Sequence, residues 1–262
     1  MCAAYLTDGR RTFFTLSKFS PRTIICPHRN SFRETASFTM IRALIFDFDG
    51  LILDTEMPAF QAWQELYAEQ GCSLSIVEWA DHIGTAMDAF DPCGELETRL
   101  ERPLDCEAIR LKYRQREHEL LDGQVVLPGV EDYLADARCL RLKLAIASSS
   151  DCAWVTGHLA RLGLRHHFDA IKGAEDVEKA KPNPDLYLAA LDALKTPAHQ
   201  AVALEDSPNG VRAAQAAGLF CVAVPNMLTR LLDLHHADLV LPSLANMPLE
   251  NLLAEVETRL QG

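Results

Sequence analysis

An open parallel α/β sheet, covered by helices on both faces and interrupted by one long helical insertion, is the architecture this sequence predicts. Three observations carry it. Apolar runs of strand length, rich in Val, Ile, Leu, Ala and Phe, occur at 41–46, 142–147, 168–172, 200–204, 219–224 and 238–241. Helical patterns separate them, the alternation expected of βαβ units. Between the first two runs the alternation fails, and residues 57 to about 125 read as helix alone.

Each element has a local reason. The run Ile41–Phe46 ends in Asp47-Phe48-Asp49-Gly50, and Gly50 permits a sharp turn. In the insertion Phe60, Trp63, Leu66 and Tyr67 keep helical spacing, and 106–121 is a charged amphipathic helix stopping at Asp122-Gly123. Trp63 and Trp79 are expected in the insertion's own core rather than as substrate platforms. Ser150 or Asp151 caps a helix reaching about Leu162, with Gly163 as its stop. Asn183-Pro184 opens another through Leu194, Ser207-Pro208 repeats the device, and Gly218 ends the last of these. The expected plan is a Rossmann-like three-layer core from 40–56 and 126–262, with an all-helical cap at 57–125. An insert of that size beside a strand end is too long for a passive loop and suits a lid.

Composition narrows the function. The chain has 262 residues and a formal charge of −12, which disfavours nucleic acid and anionic membrane as partners. No apolar run reaches the length of a membrane span. Eight cysteines lie scattered without a C-x-x-C pair, which reads as reduced thiols in a cytoplasmic protein. Residues 1–39 carry six Lys/Arg against two Asp/Glu and resemble a transit peptide; the competing and favoured reading is an upstream start, with Met40 the true beginning. An organellar location follows only from the first. A monomer or weak homo-oligomer is expected.

Four strand ends carry complementary polar groups: Asp47 and Asp49, then Ser148-Ser149-Ser150, then Lys181 before Pro182, then Glu205-Asp206. In an open parallel sheet these ends share one edge, so distant residues converge on one crevice. Four carboxylates there repel one another, by about 4 kcal/mol per pair at 4 Å and an effective dielectric near 20. Lys181 alone cannot balance them. A hard divalent cation can, and Mg²⁺ suits carboxylate, carbonyl and water ligands. The Ser148 and Ser149 region, with backbone N–H groups at a helix start, can hold phosphate oxygens.

At these residues the chain resembles the haloacid dehalogenase superfamily, in the subgroup with a helical cap between its first two motifs. Asp47-Phe48-Asp49-Gly50-Leu51-Ile52-Leu53-Asp54-Thr55-Glu56 is similar to the first motif and Ala147-Ser148-Ser149-Ser150 to the second. Lys181-Pro182-Asn183-Pro184-Asp185 is similar to the third, and Leu204-Glu205-Asp206-Ser207-Pro208-Asn209-Gly210 to the fourth. The likeness spans about 41–245 and is nearest to the phosphatases and mutases of the β-phosphoglucomutase-like branch. It implies Asp47 as nucleophile and Asp49 as acid/base. Mg²⁺ would sit on Asp47, Asp206 and the Asp49 carbonyl, with Glu205 as a further ligand or holding a metal-bound water. Ser148, Ser149 and Lys181 would grip the phosphoryl group of a small phosphorylated substrate. Asp54, Thr55, Glu56, His82 and Gly84 are the candidate substrate contacts near the cap. The cap stretch 82–88 offers no basic residue for a second phosphate, so a sugar phosphatase is expected over the alternative, a sugar phosphomutase.

Overall fold

The computed structural model describes residues 40–80 and 91–261. Six strands, β1 (Ala43–Phe46), β2 (Lys143–Ala147), β3 (Ala170–Lys172), β4 (Ala201–Glu205), β5 (Phe220–Ala223) and β6 (Leu239–Val240), form one sheet. Their order is β3-β2-β1-β4-β5-β6, and every pairing is parallel. Leu44 sits between Leu144 and Val202 in register. The strand order reverses at β1, between β2 and β4, which is where an open α/β sheet leaves a crevice at its carboxyl edge.

The central strands are large on one face and, apart from Ile45 and Cys221, contribute only alanine to the buried cluster on the other. Leu44, Phe46, Leu144, Ile146, Val202, Leu204 and Val222 enter one buried cluster, with α5 (Val130–Leu140), α6 (Cys152–Arg161) and α9 (Leu249–Gln261). Ala43, Ala145, Ala147, Ala201, Ala203 and Ala223 turn to the other face, where α7 (Asp185–Leu194) and α8 (Pro208–Ala216) supply the bulk through Leu186, Tyr187, Leu191 and Val211. Strand periodicity of two puts each set on its own side, and both faces are covered as a parallel sheet requires. The end strands β3 and β6 are shorter than the apolar runs suggest. Arg165–His167 forms a 3-10 turn before β3 and leaves Phe168 in the core.

The insertion comprises α1 (Glu56–Glu69), α2 (Ile76–Ala80), α3 (Pro92–Leu100) and α4 (Cys106–Asp122). It has a hydrophobic cluster of its own, built on Phe60, Trp63, Leu66, Tyr67, Leu74, Cys93 and Leu96. Trp63 stacks on Tyr113 at 4.8 Å, and Trp79 packs against Phe60 at 6.1 Å, so both tryptophans belong to that cluster. The expectation of reduced thiols fails at Cys93 and Cys106, which form a disulfide. The starts of α3 and α4 come within 5.8 Å between Cα atoms, a closeness that spacing in sequence did not reveal. Cys72, Cys152 and Cys221 are free thiols. No described helix is long and apolar enough to cross a membrane.

Candidate active site

β1, β2 and β4 deliver Asp47, Ser148 and Glu205-Asp206 to one end of the sheet, and the loop before α7 adds Lys181. Asp47, Ser148, Glu205 and Asp206 are all buried. Lys181 Nζ donates to Asp47 Oδ1 and to Glu205 Oε1, each at 2.5 Å, with its side chain only 6% exposed. One oxygen each of Asp47, Glu205 and Asp206 lie within 4.8 Å of one another, a spacing able to hold a metal ion.

The two members of the Glu205-Asp206 pair do different work. Glu205 Oε1 accepts from Lys181 and from the Tyr187 hydroxyl, 2.9 Å away. Glu205 Oε2 accepts from the backbone N–H groups of Asp206 and Ser207 and from the Ser207 hydroxyl. A carboxylate has about four lone-pair sites, so Glu205 is already saturated by protein donors. It anchors Lys181 and the start of α8. The first turn of that helix presses so close that a Cβ on Gly210 would lie 1.7 Å from Glu205 Oε1. Asp206 accepts from Asn226 Nδ2 at 2.8 Å, and the same amide group reaches the Gly50 carbonyl at 3.3 Å. Gly50 has φ of +84°, and a Cβ there would meet Asp206 Oδ2 at 2.3 Å, so both conformation and space demand glycine.

The cluster is short of positive charge. Burial raises the Asp47 carboxyl to about 8; Lys181 pulls it down, while Glu205 and Asp49 push it further up. Asp206 is raised well above its usual value by burial and by Asp47 and Glu205. Lys181 is held above its usual range by the two carboxylates it bridges, against the desolvation that would lower it. A cation among oxygen ligands reverses that bias toward neutral carboxyls. The donor set therefore fits Mg²⁺.

Asp49 points elsewhere. Its Oδ2 accepts from the hydroxyls of Ser148 at 3.0 Å and Ser150 at 2.8 Å, and its Oδ1 accepts from Trp154 Nε1 at 3.0 Å. Ser149 is exposed. Asp54 caps α1 by accepting from the Met57 N–H at 3.0 Å, and Thr55 is buried beside it. Glu56, the first residue of α1, is raised to about 7 by burial and by the charges of Asp49, Asp54 and Glu117, with a hydrogen bond from Trp79 acting the other way. Glu117 on α4 is raised by burial, its hydrogen bond from Tyr113 opposing, with Asp49 adding to the rise. His82 and Gly84 lie outside the described residues.

Sequence reasoning overlooked Asn226, Tyr187 and Trp154. A signal existed for Asn226, since Pro225-Asn226 follows the fifth apolar run just as the other polar pairs follow theirs. Tyr187 and Trp154 lie on helices, where only the folded turn shows which way a side chain reaches.

A family model described as haloacid dehalogenase-like hydrolase matches residues 44–224. The chain belongs to that family. Protein YhcW of Bacillus subtilis (strain 168) is 44% identical over 220 residues, covering 84% of this chain and 100% of that one. The fructose-1-phosphate phosphatase YqaB of Escherichia coli (strain K12) is 34% identical over 188 residues, covering 69% of this chain and 95% of its own. The crystal structure of β-phosphoglucomutase (pgmB) from Clostridium difficile matches with a TM-score of 0.68 at 25% identity, over 85% of this chain and 100% of that chain. Within the haloacid dehalogenase-like hydrolases the chain is a phosphoric monoester hydrolase of the β-phosphoglucomutase-like branch.

Proposed function

We propose that this protein is a Mg²⁺-dependent cytoplasmic phosphatase that removes phosphate from a small sugar phosphate through an aspartyl-phosphate on Asp47. The observation that carries the reading is the buried Lys181 bridge between Asp47 and Glu205 beside Asp206. Lys181 favours the ionised Asp47 that a nucleophile requires, and its ammonium offers charge to a phosphoryl oxygen. Asp47 attacks phosphorus while Asp49 protonates the departing sugar oxygen; Asp49 then takes a proton from the water that hydrolyses the acyl phosphate. The carboxylates of Asp47 and Asp206, with the Asp49 main-chain carbonyl, would hold Mg²⁺, which supplies charge neutralisation for the phosphoryl oxygens. Glu205 supports this set from behind. In the loop from β2 into α6 the Ser150 N–H is taken by Ser148 Oγ and the Cys152 N–H by Glu175 Oε1, which leaves the Ser149 N–H as the donor for the phosphoryl group.

Hydrolysis is favoured over phosphoryl return to a second sugar position by the cationic side chains of the insertion. Arg99 pairs with Glu78 and Glu95, Arg110 with Asp91, Lys112 with Glu69, and Arg116 with Glu65 and Glu119. These are partners on the insertion's own surface. The insertion's side chains that feel the Asp49 charge are instead the acids Glu56 and Glu117. Two carboxyl groups in that position oppose a second phosphate and accept hydrogen bonds from sugar hydroxyls. On this reading the helical insertion, 57–125, is a cap that closes over the sugar.

The deciding experiment is Asp47→Asn, which changes one atom and keeps the fold. Turnover of p-nitrophenyl phosphate and of fructose 1-phosphate should fall by roughly 10³-fold or more, as expected when a nucleophile is lost. A pure, folded variant that retains activity would remove Asp47 from the mechanism. Activity surviving exhaustive EDTA treatment would remove the metal.

A further inference from the structure

The catalytic reading uses Asp49 but leaves unexplained why an indole on a helix of the core reaches into the site. Trp154 lies in the first turn of α6, whose N-cap Asp151 accepts from the Trp154 backbone N–H. Its ring packs edge-on against His158, one turn along, at 4.4 Å between centroids, and His158 in turn lies 6.3 Å from the ring of Phe48. The indole is thus fixed by packing on one side, and its Nε1 meets Asp49 Oδ1 at 3.0 Å on the other.

The three donors to Asp49 are not equivalent. A serine hydroxyl donates or accepts as its O–H rotates, whereas an indole N–H only donates. Oδ1 is therefore kept as an acceptor. Oδ2, whose partners Ser148 and Ser150 can each reverse direction, is left as the oxygen able to carry a transferable proton. Ser148 also stands at the end of β2 where the phosphoryl group is proposed to bind, so Oδ2 is the Asp49 oxygen tied to that strand end. We propose that Trp154 is a positioning residue: its N–H fixes the plane of the Asp49 carboxyl and assigns proton delivery to Oδ2. This rests on the acid/base role of Asp49, and the experiment is chosen to separate the two.

The test compares kcat/KM for p-nitrophenyl phosphate, whose leaving group needs little protonation, with phenyl phosphate, whose leaving group needs more. Four proteins are measured: wild type, Asp49→Asn, Trp154→Phe, and protein carrying β-(3-benzothienyl)alanine at 154. The last keeps the bicyclic shape and replaces only the N–H by sulfur. Both changes at 154 should lower kcat/KM for phenyl phosphate by roughly tenfold, and for p-nitrophenyl phosphate by less than about twofold, the loss expected for one hydrogen bond to a charged group. Asp49→Asn should show the same split, more steeply. If Asp49→Asn shows no split, the acid role of Asp49 falls. If it does and neither change at 154 follows it, or if both substrates slow equally in the benzothienyl protein, the positioning role of Trp154 is overturned.

Discussion

The carboxyl edge of the sheet and the helical insertion treat charge in opposite ways. At the sheet edge the acids are buried, or half-buried in the case of Asp49, and each is tied to fixed donors: Asp47 and Glu205 to Lys181, Asp206 to Asn226, Asp49 to Ser148, Ser150 and Trp154. In the insertion the ion pairs lie on the surface, with Arg116–Glu65 and Arg110–Asp91 both exposed by about two-fifths or more. Exposed pairs of this kind are worth little to stability, commonly under about 1 kcal/mol. Buried ones are costly to break, because the partner left behind has nowhere to put its charge. On the proposed function, the chemistry would reside where geometry is enforced, and selectivity where side chains can be exchanged cheaply.

Lys181→Met breaks that contrast most severely. It strands Asp47 and Glu205 in a buried site, so the loss should be about 3–5 kcal/mol in urea unfolding at neutral pH, together with loss of turnover. Added Mg²⁺ should recover part of the stability, because a cation replaces some of the missing charge. A change no larger than that of an exposed lysine would mean that the buried bridge does not hold the site together.

The sheet edge was also the more legible region. Asp47, Asp49 and Glu205-Asp206 stand where apolar runs stop, Lys181 lies in the loop after another, and parallel topology brings such strand ends together. The helix starts at Asp151, Pro184 and Ser207-Pro208 were readable from capping chemistry, and the structure begins helices within a residue or so of each. Long-range partners were not readable. Nothing in the spacing of Trp154 tells that its indole crosses to Asp49, 105 residues away. Nor did scattered cysteines announce that Cys93 meets Cys106, since a helix-loop-helix turn and not a motif sets their distance. Glu205 was read as a metal ligand or water holder, and only the folded chain reveals five protein donors on it.

That disulfide sharpens the comparison next. It closes a loop of 13 residues inside the insertion. Loop-closure entropy for a ring of this size corresponds to about 3 kcal/mol. Replacing both Cys93 and Cys106 by Ser should lower the unfolding free energy by an amount of that order, while kcat for p-nitrophenyl phosphate stays within about twofold. Urea unfolding of the double variant beside wild type checks the point; an unchanged transition would show that the two thiols do not stabilise the fold by pairing.

The smallest expected effect concerns Glu56, where the two regions meet. Its carboxyl is raised to about 7, chiefly because burial at the start of α1 disfavours the charge, with Asp49, Asp54 and Glu117 adding to it. An acid raised on folding stabilises the protein fully below its unfolded value near 4.5 and loses that contribution as pH climbs through about 7. Glu56→Gln keeps the shape without the charge. The variant should match wild type near pH 4.5 and exceed it by about 1–2 kcal/mol at pH 8, after allowance for residual solvent screening. Bound Mg²⁺ should shrink the gap by offsetting the charge of Asp49 and its neighbours, so stability is best measured in EDTA as well as in the metal. A variant less stable than wild type at pH 8 would mean that ionised Glu56 finds a donor worth more than its desolvation, and that the insertion, like the sheet edge, pairs its inward-facing acids.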